Sequence, residues 1–296
     1  MKNEVEMNES QPRQFTRWTR RRMMCGLAAV AAVVYTDMRF VEPNWLGLGV
    51  HRVPLLPAGS ERIRILQISD LHASDDVPLD FIEHAVELGL QQKPDVVCLT
   101  GDFITLSWDE WNAYSRILER LSKIAPTFGT TGNHDGGEWL VSRGGYNRPT
   151  KVIEMLEKAN VRVLMNASCE VALPRKNPFE LVGFGDLWSN DFVPGELLSP
   201  RSEKIPRIVM SHNPDTKDDI EKSDWDLMLS GHTHGGQLTL PWGSTPFAPV
   251  KDKRFVRGLH QWQNHWLHIT KGVASIRNMR LNCFPEISMV ELVPMA

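Results

Sequence analysis

From Arg62 onward, short apolar runs alternate with stretches of helical periodicity. Ile63–Ile68 reads as a strand ending in the polar turn Ser69-Asp70-Leu71-His72, and Leu79 to Gln92 has helical spacing. Asp95–Thr100 is a near-continuous apolar strand closing on Gly101-Asp102. Residues 108–124 predict a second helix, and Pro126–Thr131 a third strand closing on Gly132-Asn133-His134-Asp135. A helix near Thr150–Ala159 leads into a strand at Val161–Leu164. Strands then follow more closely, at Glu180–Phe184, Arg207–Met210 and Asp226–Leu229, with later ones at Trp266–Thr270 and Glu286–Leu292. The alternation predicts right-handed parallel crossovers and a sheet covered by helices. In such sheets the ligand site lies off the carboxyl ends of the strands, where the polar turns sit.

Before Arg62 the pattern is different. Residues 1–12 are polar and expected to be disordered. Arg20-Arg21-Arg22-Met23-Met24 precedes an apolar run from Cys25 to Tyr35. A basic segment before so short a run has the form of a signal peptide and is short for a membrane span. The paired arginines resemble a twin-arginine export signal, with Met23 and Met24 where Phe and Leu are usual. No small-x-small cleavage pattern stands out, so residues 1–35 read as such a signal or as an uncleaved inner-membrane anchor. Residues 36–60, with Pro43, Pro54, Pro57 and Gly59, read as a linker and surface cover.

Composition narrows the class. With 296 residues, 42% hydrophobic and 23% charged, the chain is that of a folded soluble protein with an N-terminal extension. Residues 1–22 carry six basic and three acidic groups, so the net charge of −3 leaves the body from residue 36 at −6. An acidic body argues against a nucleic-acid partner. The four cysteines are widely separated and form no CxxC pair; Cys25 falls in the N-terminal apolar run, and the odd three left in the body argue against a complete disulfide framework, with Cys98 inside an apolar strand as a small core residue.

The chemistry centres on Gly231-His232-Thr233-His234-Gly235-Gly236-Gln237. On an extended segment, histidines at i and i+2 point the same way, and the glycines leave room for a sharp bend. Five strand-end turns together supply Asp70, His72, Asp102, Asn133, His134, His212, His232 and His234. Oxygen and imidazole donors without thiolate suit Mn, Fe, Zn, Ni or Co, and are too nitrogen-rich for a Mg or Ca cage.

Taken in order, Asp70-x-His72, Gly101-Asp102, Gly132-Asn133-His134-Asp135, His212 and Gly231-His-x-His234 resemble the calcineurin-like metallophosphoesterases, over residues 61–296. Asp186-Leu-Trp188, Ser211–Asp215 and Phe247–Phe255 are similar to an exported bacterial branch of that family; a related branch includes a UDP-2,3-diacylglucosamine pyrophosphatase. The resemblance implies an α/β fold, a four-layer αββα sandwich of two mixed sheets flanked by helices. It implies two divalent metal ions, manganese first among the candidates. Asp70, His72, Asp102 and His234 would hold one ion, and Asp102, Asn133, His212 and His232 the other, with Asp102 bridging. A water or hydroxide between the ions would attack a phosphodiester. His134 would serve the leaving group and Asp135 would orient His134. The alternative is the same chemistry on a pyrophosphate-linked, lipid-bearing substrate; a third reading is a non-catalytic interaction module on this fold. Long loops at 186–206 and 239–262 are where specificity is expected, and an apolar groove involving Phe247, Phe255 or the N-terminal segment would favour the lipid substrate.

Overall fold

Two six-stranded sheets face each other across an apolar seam. The structure, a computed structural model, describes residues 19–201 and 205–295. The stretch 1–12 expected to be disordered lies outside them.

The chain begins with helix α1 (Arg20–Thr36), which continues through one turn of π-helix (Asp37–Val41) and one of 3-10 helix (Glu42–Asn44). Strand β1 (Gly47–Leu56) and β2 (Ile63–Ile68) follow. Next come α2 (Leu79–Gln91), β3 (Val96–Thr100), α3 (Trp111–Ser122) and β4 (Thr127–Thr130). A short α4 (Glu138–Val141) precedes α5 (Thr150–Lys158), β5 (Arg162–Val163), β6 (Ala167–Val171) and β7 (Phe179–Gly183). The last part holds β8 (Arg207–Met210), α6 (Thr216–Asp219), β9 (Leu227–Ser230), β10 (Gly258–Trp262), β11 (His265–Ile269) and β12 (Glu286–Pro294).

The first sheet has the order β1-β12-β2-β3-β4-β5 and the second β10-β11-β9-β8-β7-β6. Both are mixed: β12 runs antiparallel to β2 in one, and β10 and β6 are the antiparallel edges of the other. This is the expected α/β sandwich. Side-chain alternation builds it. Ile63, Ile65, Val96 and Cys98 point into the seam and meet Leu181, Ile208, Leu227 and Leu229 from the other sheet. Leu66, Ile68, Val97 and Leu99 point the other way, against Ile82, Val86, Leu118 and Leu156 of the helices. Each such fully buried aliphatic side chain contributes about 1.5–3 kcal/mol relative to exposure. The outer face of the second sheet is covered more thinly, by Leu198, Ile220, Trp225 and Phe255 from loops and the edge of α6.

Three strands were not expected, and their composition explains why. β1 lies in the stretch read as linker and cover; its Gly47, Gly49 and Pro54 are poor strand residues. It survives as an edge strand, pairing only with β12, and its register breaks between Pro54 and Leu56. β6 and β10 are also edges, half-buried and without a continuous apolar run.

The N-terminal helix is longer than its apolar core. Counting the π and 3-10 turns, Arg20–Asn44 is long and apolar enough to cross a membrane by length and composition, and its apolar stretch is wholly exposed. Its end is fastened to the body. Arg280 N donates to Met38 O at 2.9 Å, Arg39 pairs with Asp76 at 2.7 Å, and the Glu42 carboxylate accepts from Asn282 N and Cys283 N.

Candidate metal centre

β2, β3 and β4 run parallel, as do β8 and β9, so the turns that follow them gather at one end of the seam. Backbone bonds lock turn to turn. Asp70 N donates to Gly101 O, His72 N to Asp102 O and Gly231 N to His212 O, each at 3.0 Å. At position 231 only glycine fits, because a Cβ would stand 2.1 Å from Ser69 Oγ and 2.3 Å from Asp70 Oδ2.

The backbone here is strained. Asp70, His72, Asp102, His232 and His234 all adopt left-handed φ angles, between 48° and 69°. For residues other than glycine this costs about 1–2 kcal/mol each, and it persists where the surroundings dictate it. His232 and His234 therefore do not converge as neighbours on an extended segment, as the i, i+2 spacing suggested. Each sits in its own left-handed bend, and His234 opens a 3-10 turn.

Asp70, His72, Asp102, Asn133, His212, His232 and His234 are all buried in these turns, none more than 3% exposed. One donor atom each from Asp70, His72, Asp102 and His234 lies within 4.8 Å of the others. Asp102 Oδ2 stands 3.4 Å from His72 Nε2 and 3.1 Å from His212 Nε2, while Oδ1 accepts His134 N at 2.8 Å. The His212 and His232 rings are 5.1 Å apart, and His232 N donates to Asp70 Oδ1 at 3.0 Å.

Whether this set suits metal ions is decided by its unpartnered atoms. His72 Nε2, Asp102 Oδ2, Asn133 Oδ1, His212 Nε2 and His232 Nε2 are all buried without a hydrogen-bond partner. A buried unsatisfied polar group costs about 1–3 kcal/mol, so five in one place are a standing cost that cations relieve. The rings are also aimed. His212 Nδ1 lies 2.8 Å from Thr100 O and His234 Nδ1 lies 3.0 Å from Ala274 O, which fixes the N–H there and presents Nε2. Burial holds His72, His232 and His234 below the usual histidine range, and so neutral and able to donate a lone pair. Without metal, burial also opposes charge on His212, but the Asp102 carboxylate outweighs it and lifts the ring to about 10. A bound cation would take the place of that proton. The residues present fit a divalent metal centre.

His134 lies beside this group, its ring 4.7 Å from His72 and 4.6 Å from Trp139. The orienting role expected of Asp135 falls to another atom: His134 Nδ1 is 2.5 Å from Thr105 O. Asp135 is fully buried below, and its oxygens accept the backbone N–H of Asp102 (2.9 Å), Phe103 (2.7 Å) and Gly132 (2.8 Å). Burial first, and then Asp102, push its carboxyl up to about 8 against the pull of those N–H groups. Asp135 thus holds two ligand-bearing turns together and does not touch the imidazole it was expected to orient.

A largely apolar groove of about 480 Å³ opens beside His232 and His234, walled by Trp139, Trp188, Phe247, Ile276 and Met279. Trp188 stands edge-on over His232 at 4.3 Å. Phe247 lines the groove as expected; Phe255 does not, because it is buried against the second sheet. None of the described N-terminal residues lines it either; that segment is bonded to the 280–283 loop next to it. Arg257 donates to Gly235 O and Thr239 Oγ1.

Two contributors carried no signal in the sequence. Thr105 acts through its carbonyl, which any residue has. Arg280 is an isolated arginine that proves fully buried; its guanidinium donates to the carbonyls of His234, Lys271, Gly272, Ala274 and Cys283. Ala274 O is the acceptor that also orients His234, so Arg280 braces the first group of donors from behind.

Comparison with known proteins agrees with this geometry. Residues 63–236 match the family model of the calcineurin-like phosphoesterases. The chain is 41% identical over 274 residues to the phosphodiesterase YaeI of Escherichia coli, covering 90% of this chain and 97% of that one. It is 28% identical to the metallophosphoesterase YkuE of Bacillus subtilis (91% and 94%). It is 27% identical to the UDP-2,3-diacylglucosamine pyrophosphatase LpxG of Chlamydia muridarum (89% and 94%). The chain belongs to the calcineurin-like phosphoesterase family, and with that membership it is a metal-dependent phosphoester hydrolase.

Proposed function

We propose that the protein is a dinuclear metal-dependent phosphodiesterase. The observation that carries this is Asp102 Oδ2: buried, unpartnered, and 3.4 Å from His72 Nε2 and 3.1 Å from His212 Nε2, it lies in reach of both donor groups. Asp70, His72, Asp102 and His234 would hold one cation, and Asp102, Asn133, His212 and His232 the second. Bound divalent cations supply charge that polarises a phosphoryl oxygen and lowers the pKa of a water. Two carboxylates against two such ions leave a net of about +2, which draws in an anionic phosphate. His134, with Nδ1–H donating to Thr105 O, would act as the imidazolium: its Nε2 proton would pass to the departing oxygen as that oxygen's bond to phosphorus breaks, leaving the neutral ring. Trp139 and Trp188 wall one side of the site and keep bulk water from it.

A second reading has its own observation. The groove beside His232 and His234 is mostly apolar, as a substrate with a hydrocarbon or lipid part near its phosphate requires. Similarity to the chlamydial pyrophosphatase supports hydrolysis of a nucleotide-sugar lipid at this site. The N-terminal helix, with its three arginines and membrane-length apolar stretch, supports action at the cell envelope, through twin-arginine export or an inner-membrane anchor.

Protein loaded in turn with Mn, Fe, Zn, Ni and Co, and given a phosphomonoester, a chromogenic phosphodiester and UDP-diacylglucosamine side by side, tests both readings. Turnover of the diester well above the monoester is expected. Turnover confined to the nucleotide-sugar lipid would replace the first reading with the second, and no metal-dependent turnover of any would overturn both.

A further inference from the structure

A second group of metal-ligating side chains lies outside the centre described above. His51 on β1, His268 on β11 and Glu286 at the start of β12 each bring one donor atom within 4.8 Å of the others. β1 and β12 are neighbours in the first sheet; β11 belongs to the second. The three side chains therefore bridge the sheets at their edge. Gln67 separates them from the catalytic end: its Nε2 donates to Thr100 Oγ1 and Ser230 O, both at 3.0 Å.

The same glutamine fixes the state of His268. With Nε2 committed as donor, Gln67 Oε1 is an acceptor, and it lies 2.7 Å from His268 Nδ1. The proton is therefore on Nδ1. Nε2 is a bare lone pair on a fully buried ring, with no hydrogen-bond partner. The His51 ring stands 4.4 Å away, centre to centre, and is only half-buried, so an ion can arrive from solvent on that side. The Glu286 carboxylate accepts from Ser288 Oγ at 3.0 Å and pairs with Lys271 Nζ at 2.6 Å. Lys271 is partly exposed, and its ammonium can turn to water when a stronger cation takes the carboxylate. Two imidazoles and one carboxylate on three strands, with a fourth position open to solvent, form a donor set that suits zinc.

We propose that His51, His268 and Glu286 form a further divalent-metal site of the zinc class, whose ion staples edge strand β1 to β11 and pins the two sheets together. β1 is also the strand through which the N-terminal helix joins the body, so occupancy secures that junction. The site takes no part in hydrolysis, and the proposal does not depend on which phosphoester is cleaved.

The test is an ion count by native mass spectrometry on the full chain titrated with Zn2+, comparing wild type with His51→Gln. The wild type should carry one zinc ion more than the variant, zinc should raise its melting temperature further, and the variant should keep wild-type phosphoesterase turnover. Glu286→Gln, which keeps the side-chain shape, repeats the count should His51→Gln not fold. Equal counts in wild type and variant would overturn the proposal. Failure of the dinuclear reading looks different: both counts fall, and the difference of one ion remains.

Discussion

In the proposed mechanism His134 and Asp102 would divide the work of the site between them. Asp102 Oδ2 lies close to both His72 and His212, whereas the His134 ring is tied at Nδ1 to Thr105 O and stands edge-on to His72 at 4.7 Å. His134→Ala should therefore leave metal content nearly normal and lower turnover by about 10²–10⁴, with a smaller loss on substrates whose leaving group needs little protonation. Elemental analysis and steady-state kinetics on two esters of different leaving-group pKa check this; a variant stripped of metal would contradict it. Asp135→Asn should act on stability instead. It puts an amide where three backbone N–H groups need an acceptor, at a cost of about 1–3 kcal/mol in thermal or denaturant unfolding. At this scale the sequence was readable wherever a side chain carries the chemistry: Asp70, His72, Asp102 and His234 bring donor atoms within 4.8 Å of one another. It was silent where a main-chain carbonyl acts, as at Thr105, and it misdirected Asp135. Adjacency in the chain suggested an orienting contact, but the turn sends that carboxylate inward.

Parallel strands place the turns, and the fit between turns then places the donors. Gly231 shows how tight that fit is. Gly231→Ala would drive a methyl into Ser69 and Asp70. It should cost about 1–3 kcal/mol of stability and weaken metal retention, read by calorimetry and by metal content after dialysis. Arg280→Lys tests the brace behind His234. A lysine keeps the charge but cannot reproduce a guanidinium that serves five carbonyls, so loss of stability and faster metal loss to a chelator are expected. Wild-type metal retention in that variant would show that Arg280 serves only the loop. The central strands and their helices were legible because burial on both faces leaves long apolar runs and regular helical spacing, as at Val96–Thr100 and Leu79–Gln91. The edges were not. β1 pairs on one side only and tolerates Gly and Pro, so its sequence looks like a linker. The left-handed bends at Asp70, His72, Asp102, His232 and His234 also escaped the pattern, because neighbouring turns impose them and local propensity does not.

The whole molecule combines a buried, donor-rich end of a β-sandwich, an apolar groove beside it, and an exposed N-terminal helix bonded to the adjacent 280–283 loop. If the arginines that open that helix are an export signal, replacing Arg20, Arg21 and Arg22 with lysine should retain the protein in the cytoplasm on fractionation; unchanged fractionation would rule the signal out. The central claim concerns the ions that the buried donors hold, and it is tested most directly by counting metal and measuring diester hydrolysis on the same preparations of wild type and Asp102→Asn. Apart from any ion at the His51 site, which the two proteins share, the wild type should hold two ions, and the variant should lose one or both together with most of its turnover. An Asp102→Asn protein that keeps both ions and hydrolyses the diester as the wild type does would contradict the account.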